Sequence, residues 1–202
     1  MRYASSALVL LAALALQVPE AHAVPVEFVG NLSGANEVPP NASPGTGLAT
    51  VALDPTAQTI QITASFSGLT SSDTAAHIHC CAPLGTNAGV ATTVPAFLGL
   101  PLGVTQGTYL SPVFSLLDPS FYNPAFVSLE GGLPQAEAAL IAGIENQQTY
   151  FNIHTTSFPG GEIRSQLFSA AAPEPASLVL LGSALIGFGM IRRRNRVPLK
   201  AC

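Results

Sequence analysis

His77 and His79 stand one residue apart and run directly into Cys80 and Cys81, while a third histidine, His154, sits in a distant segment of similar apolar alternation. Residues 75 to 80 read as a strand, and on a strand the side chains two apart share a face, roughly 6.5–7 Å apart at Cα. His154 follows Phe151 and Ile153, which alternate in the same way. If Ile78, Phe151 and Ile153 face the core, the three imidazoles face outward together. Three imidazoles converging on one side of a sheet form a donor set for copper or zinc. Cys81 shares that face if the strand continues past Cys80. The structural alternative is a set of histidines hydrogen-bonded to backbone, or to each other, beneath a loop. No obligatory cofactor follows from the sequence; copper or zinc is the candidate ion.

The cysteine pair is a separate question. Adjacent Cα atoms lie about 3.8 Å apart, closer than ordinary disulfides hold them. The only other cysteine, Cys202, lies beyond a C-terminal apolar run. A vicinal disulfide between Cys80 and Cys81, an intermolecular link and a metal thiolate are the options, with the vicinal bridge slightly ahead. Glu162 and Arg164 share one strand face. Arg164 is expected to pair with Glu162 or Glu37, or to contact an anion. No nucleophile elbow, phosphate loop or paired-carboxylate motif appears, so the sequence offers no convincing enzyme.

The elements that must position these groups are mostly strands. Residues 26–29, 47–53, 58–66, 75–80, 148–155 and 162–168 alternate or are rich in β-branched residues, with turn residues between them. Asp54-Pro55-Thr56-Ala57 joins the second and third as a hairpin turn. Residues 82–118 are rich in Gly and Pro and read as loops with one or two short strands near 105–114. Residues 134–144 are the one good helix away from the chain ends. This spacing predicts an all-β Greek-key β-sandwich or barrel, superoxide-dismutase-like or immunoglobulin-like, with one short helix.

The ends carry a different signal. Arg2, an apolar stretch from Ala7 to Leu16 and Ala21-His22-Ala23 predict a signal peptide over 1–23, cut by signal peptidase after Ala23. Near the other end stand Pro173-Glu174-Pro175, an apolar run over 176–191 and Arg192-Arg193-Arg194. The run predicts a transmembrane helix of about 24 Å, with the arginines and a 197–202 tail on the cytoplasmic side. Between the ends, Arg164 is the only basic residue against nine carboxylates, leaving the body near minus eight with neutral histidines. That balance excludes nucleic acid, whose phosphates need lysine and arginine. Neutral sugars, cations and basic proteins remain as partners.

Proline-glutamate-proline, a short apolar helix and an arginine cluster, in that order, resemble the PEP-CTERM sorting signal of bacterial envelope proteins. The resemblance assigns 170–196 to sorting. It implies recognition by an exosortase, a transient inner-membrane anchor, and delivery to the cell surface or extracellular matrix, near exopolysaccharide and other envelope proteins. The body resembles the chordin (CHRD) domain family over about 24–169. The carrying residues are Leu32-Ser33-Gly34-Ala35-Asn36-Glu37-Val38-Pro39-Pro40, Ala76-His77-Ile78-His79, Tyr150-Phe151-Asn152-Ile153-His154-Thr155 and Pro159-Gly160-Gly161-Glu162-Ile163-Arg164. That resemblance implies an extracellular β-domain serving a binding or structural role. The histidine pattern is also similar to copper/zinc superoxide dismutase, where a His-x-His and a distant histidine hold copper and an arginine guides the anion. The bridging histidine and the zinc-loop ligands of that enzyme have no recognisable counterparts here.

Overall fold

A computed structural model of the protein describes residues 24–170. The expected signal peptide, the transmembrane helix 176–191 and the 197–202 tail lie outside the described residues. Among the described residues no helix is long and apolar enough to cross a membrane.

Three long strands form a meander: β1 (Val26–Ser33), β2 (Thr46–Asp54) and β3 (Thr59–Ser67). Their inward positions are apolar and buried, among them Ala49, Val51 and Leu53 on β2 and Ile60, Ile62, Ala64 and Phe66 on β3. The β2–β3 turn is built as its sequence suggests. The Asp54 carboxylate accepts the backbone N–H groups of Thr56 and Ala57. The chain then crosses to β4 (Asp73–Cys80), followed by the short strands β5 (Gly89–Val90), β6 (Gly107–Leu110) and β7 (Phe114–Ser115). Helices α1 (Pro124–Glu130) and α2 (Leu133–Glu145) precede β8 (Thr149–Thr155), β9 (Ile163–Gln166) and β10 (Phe168–Ser169).

The strands make one ten-stranded sheet ordered β5-β4-β8-β9-β1-β2-β3-β6, with β10 on β1 and β7 on β3. It is antiparallel throughout and curls into a half-barrel. The chain is mostly β, and of the expected sandwich or barrel the single curled sheet corresponds to neither in full: it is a half-barrel. The layer that a second sheet would supply comes instead from the helices and the glycine- and proline-rich middle segment. Phe97 stacks against Phe151 at 6.1 Å and Phe121 at 6.2 Å between ring centroids, and Phe126, Leu140 and Ile144 complete the buried layer. Aromatic side chains from irregular backbone cover apolar area as well as a strand face does.

The helix count is also corrected, from one to two. Asn123 caps α1 by accepting the Ala125 N–H, Pro124 opens it, and Gly131 closes it at φ 90°. Gly131 and Gly132 separate this seven-residue helix from α2. The caps are legible in the sequence, but so short an apolar span carries no helical period.

Candidate metal centre

Strands β4 and β8 are paired so that His79 lies opposite Tyr150, His77 opposite Asn152, and Ala75 opposite His154. Cross-strand partners share a face, which places the three histidines, Tyr150 and Asn152 together. Ile78, Phe151 and Ile153 point the other way and are fully buried in the core. The histidines are therefore on the outer side of the sheet. They are not open to solvent, however: His77, His79 and His154 are only 5%, 7% and 8% exposed.

Loops cover them. The Ala88 carbonyl accepts from His79 Nδ1 at 2.9 Å, and the Pro159 carbonyl accepts from His154 Nδ1 at 3.0 Å. A carbonyl can only accept, so each Nδ1 carries the proton and each Nε2 keeps a lone pair. This is how metal-ligating histidines are oriented from behind. Nε2 of His79, Nε2 of His154 and Nδ1 of His77 are buried without a hydrogen-bond partner. One ring nitrogen from each histidine lies within 4.8 Å of those of the other two. A common point is then no more than about 2.8 Å from each, against ~2.0–2.1 Å for a zinc–imidazole bond, so a closure of under an ångström completes the set.

Electrostatics keep these rings neutral. Burial pushes His77 down to about 3, helped by the neighbouring His154 and His79. Burial also pushes His79 down to about 4, with the bond to Ala88 opposing and His154 and Arg164 assisting. His154 is lowered by burial against the opposing bond to Pro159. Neutral imidazole is the form that binds metal.

A second layer stands beside this set. Tyr150 stacks on His79, with ring centroids 4.6 Å apart and planes 8° apart, and the Arg164 guanidinium sits 4.4 Å over the Tyr150 ring. Tyr150 Oη accepts the Ala88 N–H at 3.1 Å, so the same residue fixes both rings. Arg164 donates to the Asn36 carbonyl at 2.7 Å and to Asn87 Oδ1 at 2.6 Å, pinning two covering loops together.

Arg164 lies 3.9 Å from Glu37, both nearly buried. Burial raises Glu37 to about 7, outweighing the pull of Arg164. Glu162 is engaged elsewhere. Its carboxylate accepts from Ser43, Thr155 and the Thr70 N–H. Burial raises it, but these bonds win and its net shift is downward. The sulfurs of Cys80 and Cys81 are bonded to each other. Strand β4 ends at Cys80, and Cys81 is exposed rather than part of the histidine cluster. Of the two carboxylates the sequence offers Arg164, Glu37 is the one beside it; the roles of Tyr150, Asn152, Asn87 and the carbonyls of Ala88 and Pro159 escape the sequence reading. The alternation of Tyr150, Asn152 and His154 is visible there, but their neighbours appear only once β4 and β8 are in register.

Gly161 holds the covering loop close. It has φ 128°, and a Cβ there would lie 2.6 Å from Asn152 Nδ2 and 2.7 Å from Glu37 Oε1. Gly161→Ala is expected to destabilise the domain by about 2–4 kcal/mol. Gly160→Ala, which meets nothing within 4 Å and lacks a left-handed φ, is expected to change stability by less than ~0.5 kcal/mol. Urea unfolding of the two variants measures the contrast; equal effects would remove the close-approach argument.

Fold and site together define a β-domain: a curled antiparallel sheet carrying a buried histidine cluster under loops. Residues 28–167 match the CHRD domain model, and the chain belongs to the CHRD domain family. Residues 171–194 match the PEP-CTERM protein-sorting motif, which marks the chain for exosortase processing and export to the cell envelope or surface. No curated protein matches the chain.

Proposed function

We propose that this exported domain is a metal-binding module, with His77, His79 and His154 together holding one copper or zinc ion. The observation that carries the reading is the trio of buried ring nitrogens with no protein partner. Each buried polar atom left unsatisfied costs about 1–3 kcal/mol. Three on neighbouring rings, one from each histidine of the cluster, are hard to account for as structure and simple to account for as ligands. The second layer supports this, because Ala88 and Pro159 fix two tautomers. When bound, the ion supplies Lewis acidity or redox capacity; the chain supplies neutral donors, their orientation and exclusion of water.

The delivery scheme belongs to the same proposal. Signal peptidase releases 1–23, the 176–191 helix anchors the chain transiently in the inner membrane, and an exosortase removes the tail. The 24–169 body is then displayed near exopolysaccharide and envelope proteins.

Elemental analysis of the purified chain tests the site. About one equivalent of copper or zinc is expected. At free metal a thousandfold above Kd the stabilisation is about 4 kcal/mol, a rise in Tm of roughly 10 °C. A metal-free protein whose Tm ignores both ions would leave a display module acting through its loops alone.

A further inference from the structure

We infer that the histidine site is built for copper in the cuprous state, with Arg164 and Tyr150 as positioning residues that set this preference. The inference rests on the metal reading above and goes past it by naming the ion and its charge.

The donors are three neutral imidazoles. Among the described residues no carboxylate joins the set, and the only cysteines beside it are bonded to each other. The ligands therefore cancel none of the ion's charge. The three rings are more than nine-tenths buried. The cost of taking an ion out of water grows as the square of its charge, so a dication is about four times as expensive as a monocation. A divalent ion would need an anionic or water ligand to complete its shell. Among the described residues no further histidine, cysteine or carboxylate belongs to the cluster, so the chain itself supplies no such ligand. A d¹⁰ monocation is satisfied by three nitrogen donors in a plane.

The nearest fixed charge disfavours the higher oxidation state. Arg164 is permanently cationic. In sheet order β8 lies between β4 and β9, so Tyr150 stands between His79 on one strand and Arg164 on the other. The guanidinium is 4.4 Å from the Tyr150 ring, and that ring is 4.6 Å from His79. Each added positive charge on the ion meets this cation across one aromatic ring. Glu37, 3.9 Å from Arg164, offsets it only in part. The same stack, with Tyr150 tied to Ala88, holds the His79 ring against rotation.

Competitive titrations of the purified full chain, with Cu(I) under anaerobic chelator control and with Cu(II) and Zn(II), read the preference. Cu(I) is expected to bind at least 100-fold more tightly than Zn(II). Arg164→Gln is expected to move the Cu(I):Cu(II) affinity ratio about tenfold toward Cu(II), a fall of about 59 mV in reduction potential. Arg164→Lys, which keeps the charge, is expected to restore most of the ratio. Glu37→Gln leaves the guanidinium uncompensated and is expected to move the ratio the other way; it serves the test even if Arg164→Gln does not fold. Tighter binding of Zn(II) or Cu(II), or a potential indifferent to both positions, overturns the cuprous assignment while leaving the metal site standing. Retention of no ion at all overturns both.

Discussion

His77→Leu is expected to make the metal-free protein more stable and the metal-binding protein worthless. His77 Nδ1 is buried without a partner, and among the described residues its ring makes no hydrogen bond. An apolar side chain of similar volume removes that unsatisfied group, a gain of about 1–3 kcal/mol. The same change deletes one of three ligands. Sharing an apparent binding energy of roughly 10–16 kcal/mol among a few ligands, the loss is several kcal/mol, on the order of 10³ in Kd. A domain that stabilises while losing copper and zinc has a site that trades fold stability for ligand binding. A structural histidine gives the opposite pattern, in which stability falls and the ions make no difference. Urea unfolding with and without added metal, beside a His77→Leu/His79→Ala/His154→Ala triple variant, separates the two.

Acid is expected to unfold the metal-free domain well above the pH at which the native histidines titrate. In the unfolded chain each histidine takes its proton near 6.5. In the fold, burial holds His77 near 3 and His79 near 4. Both folded values are depressed. Their stabilising share is thus complete above about pH 6.5 and is lost as pH falls toward 4 and 3. His154, also lowered, acts in the same sense. Glu37 opposes them: raised to about 7, it favours the fold below its ordinary carboxylate range and loses that contribution as pH rises through 7. His77 and His79 against Glu37 leave a net of about one, or roughly 1 kcal/mol lost per pH unit between 6 and 5, with His154 adding in the same direction. Bound metal blocks the protonation sites, so the holo form should keep its stability to lower pH, and its Kd should stay nearly flat from pH 8 to 5.5. Unfolding curves at pH 7.5, 6.5 and 5.5 decide this. A metal-free domain whose stability holds or rises on acidification would refute buried neutral imidazoles.

The shared face of His77, His79 and His154 was legible because period-two alternation is local: Ile78, Phe151 and Ile153 declare the core side, and the histidines must take the other. The burial of that face was not legible. Its cover comes from Asn87, Asn36 and Pro159, and the Asn87–Arg164 and Asn36–Arg164 contacts join residues 77 and 128 positions apart. No local pattern encodes a contact of that range. The β2–β3 hairpin was readable for the same local reason, its turn between Asp54 and Thr59 being short. The single curled sheet was not, since the place of β8 between β4 and β9 depends on long-range pairing, and Phe97, which closes the core, lies in a stretch whose glycines and prolines read as loop. The PEP-CTERM tail needed no fold at all, because sorting signals are read as linear order.

Anomalous diffraction from crystals of the chain grown with copper tests the central claim most directly. The account predicts one peak, within about 2.1 Å of a ring nitrogen from each of His77, His79 and His154, with Ala88 and Pro159 still accepting from the far side of the His79 and His154 rings. Copper held only at surface carboxylates, with the three imidazoles left facing one another around nothing, would contradict it.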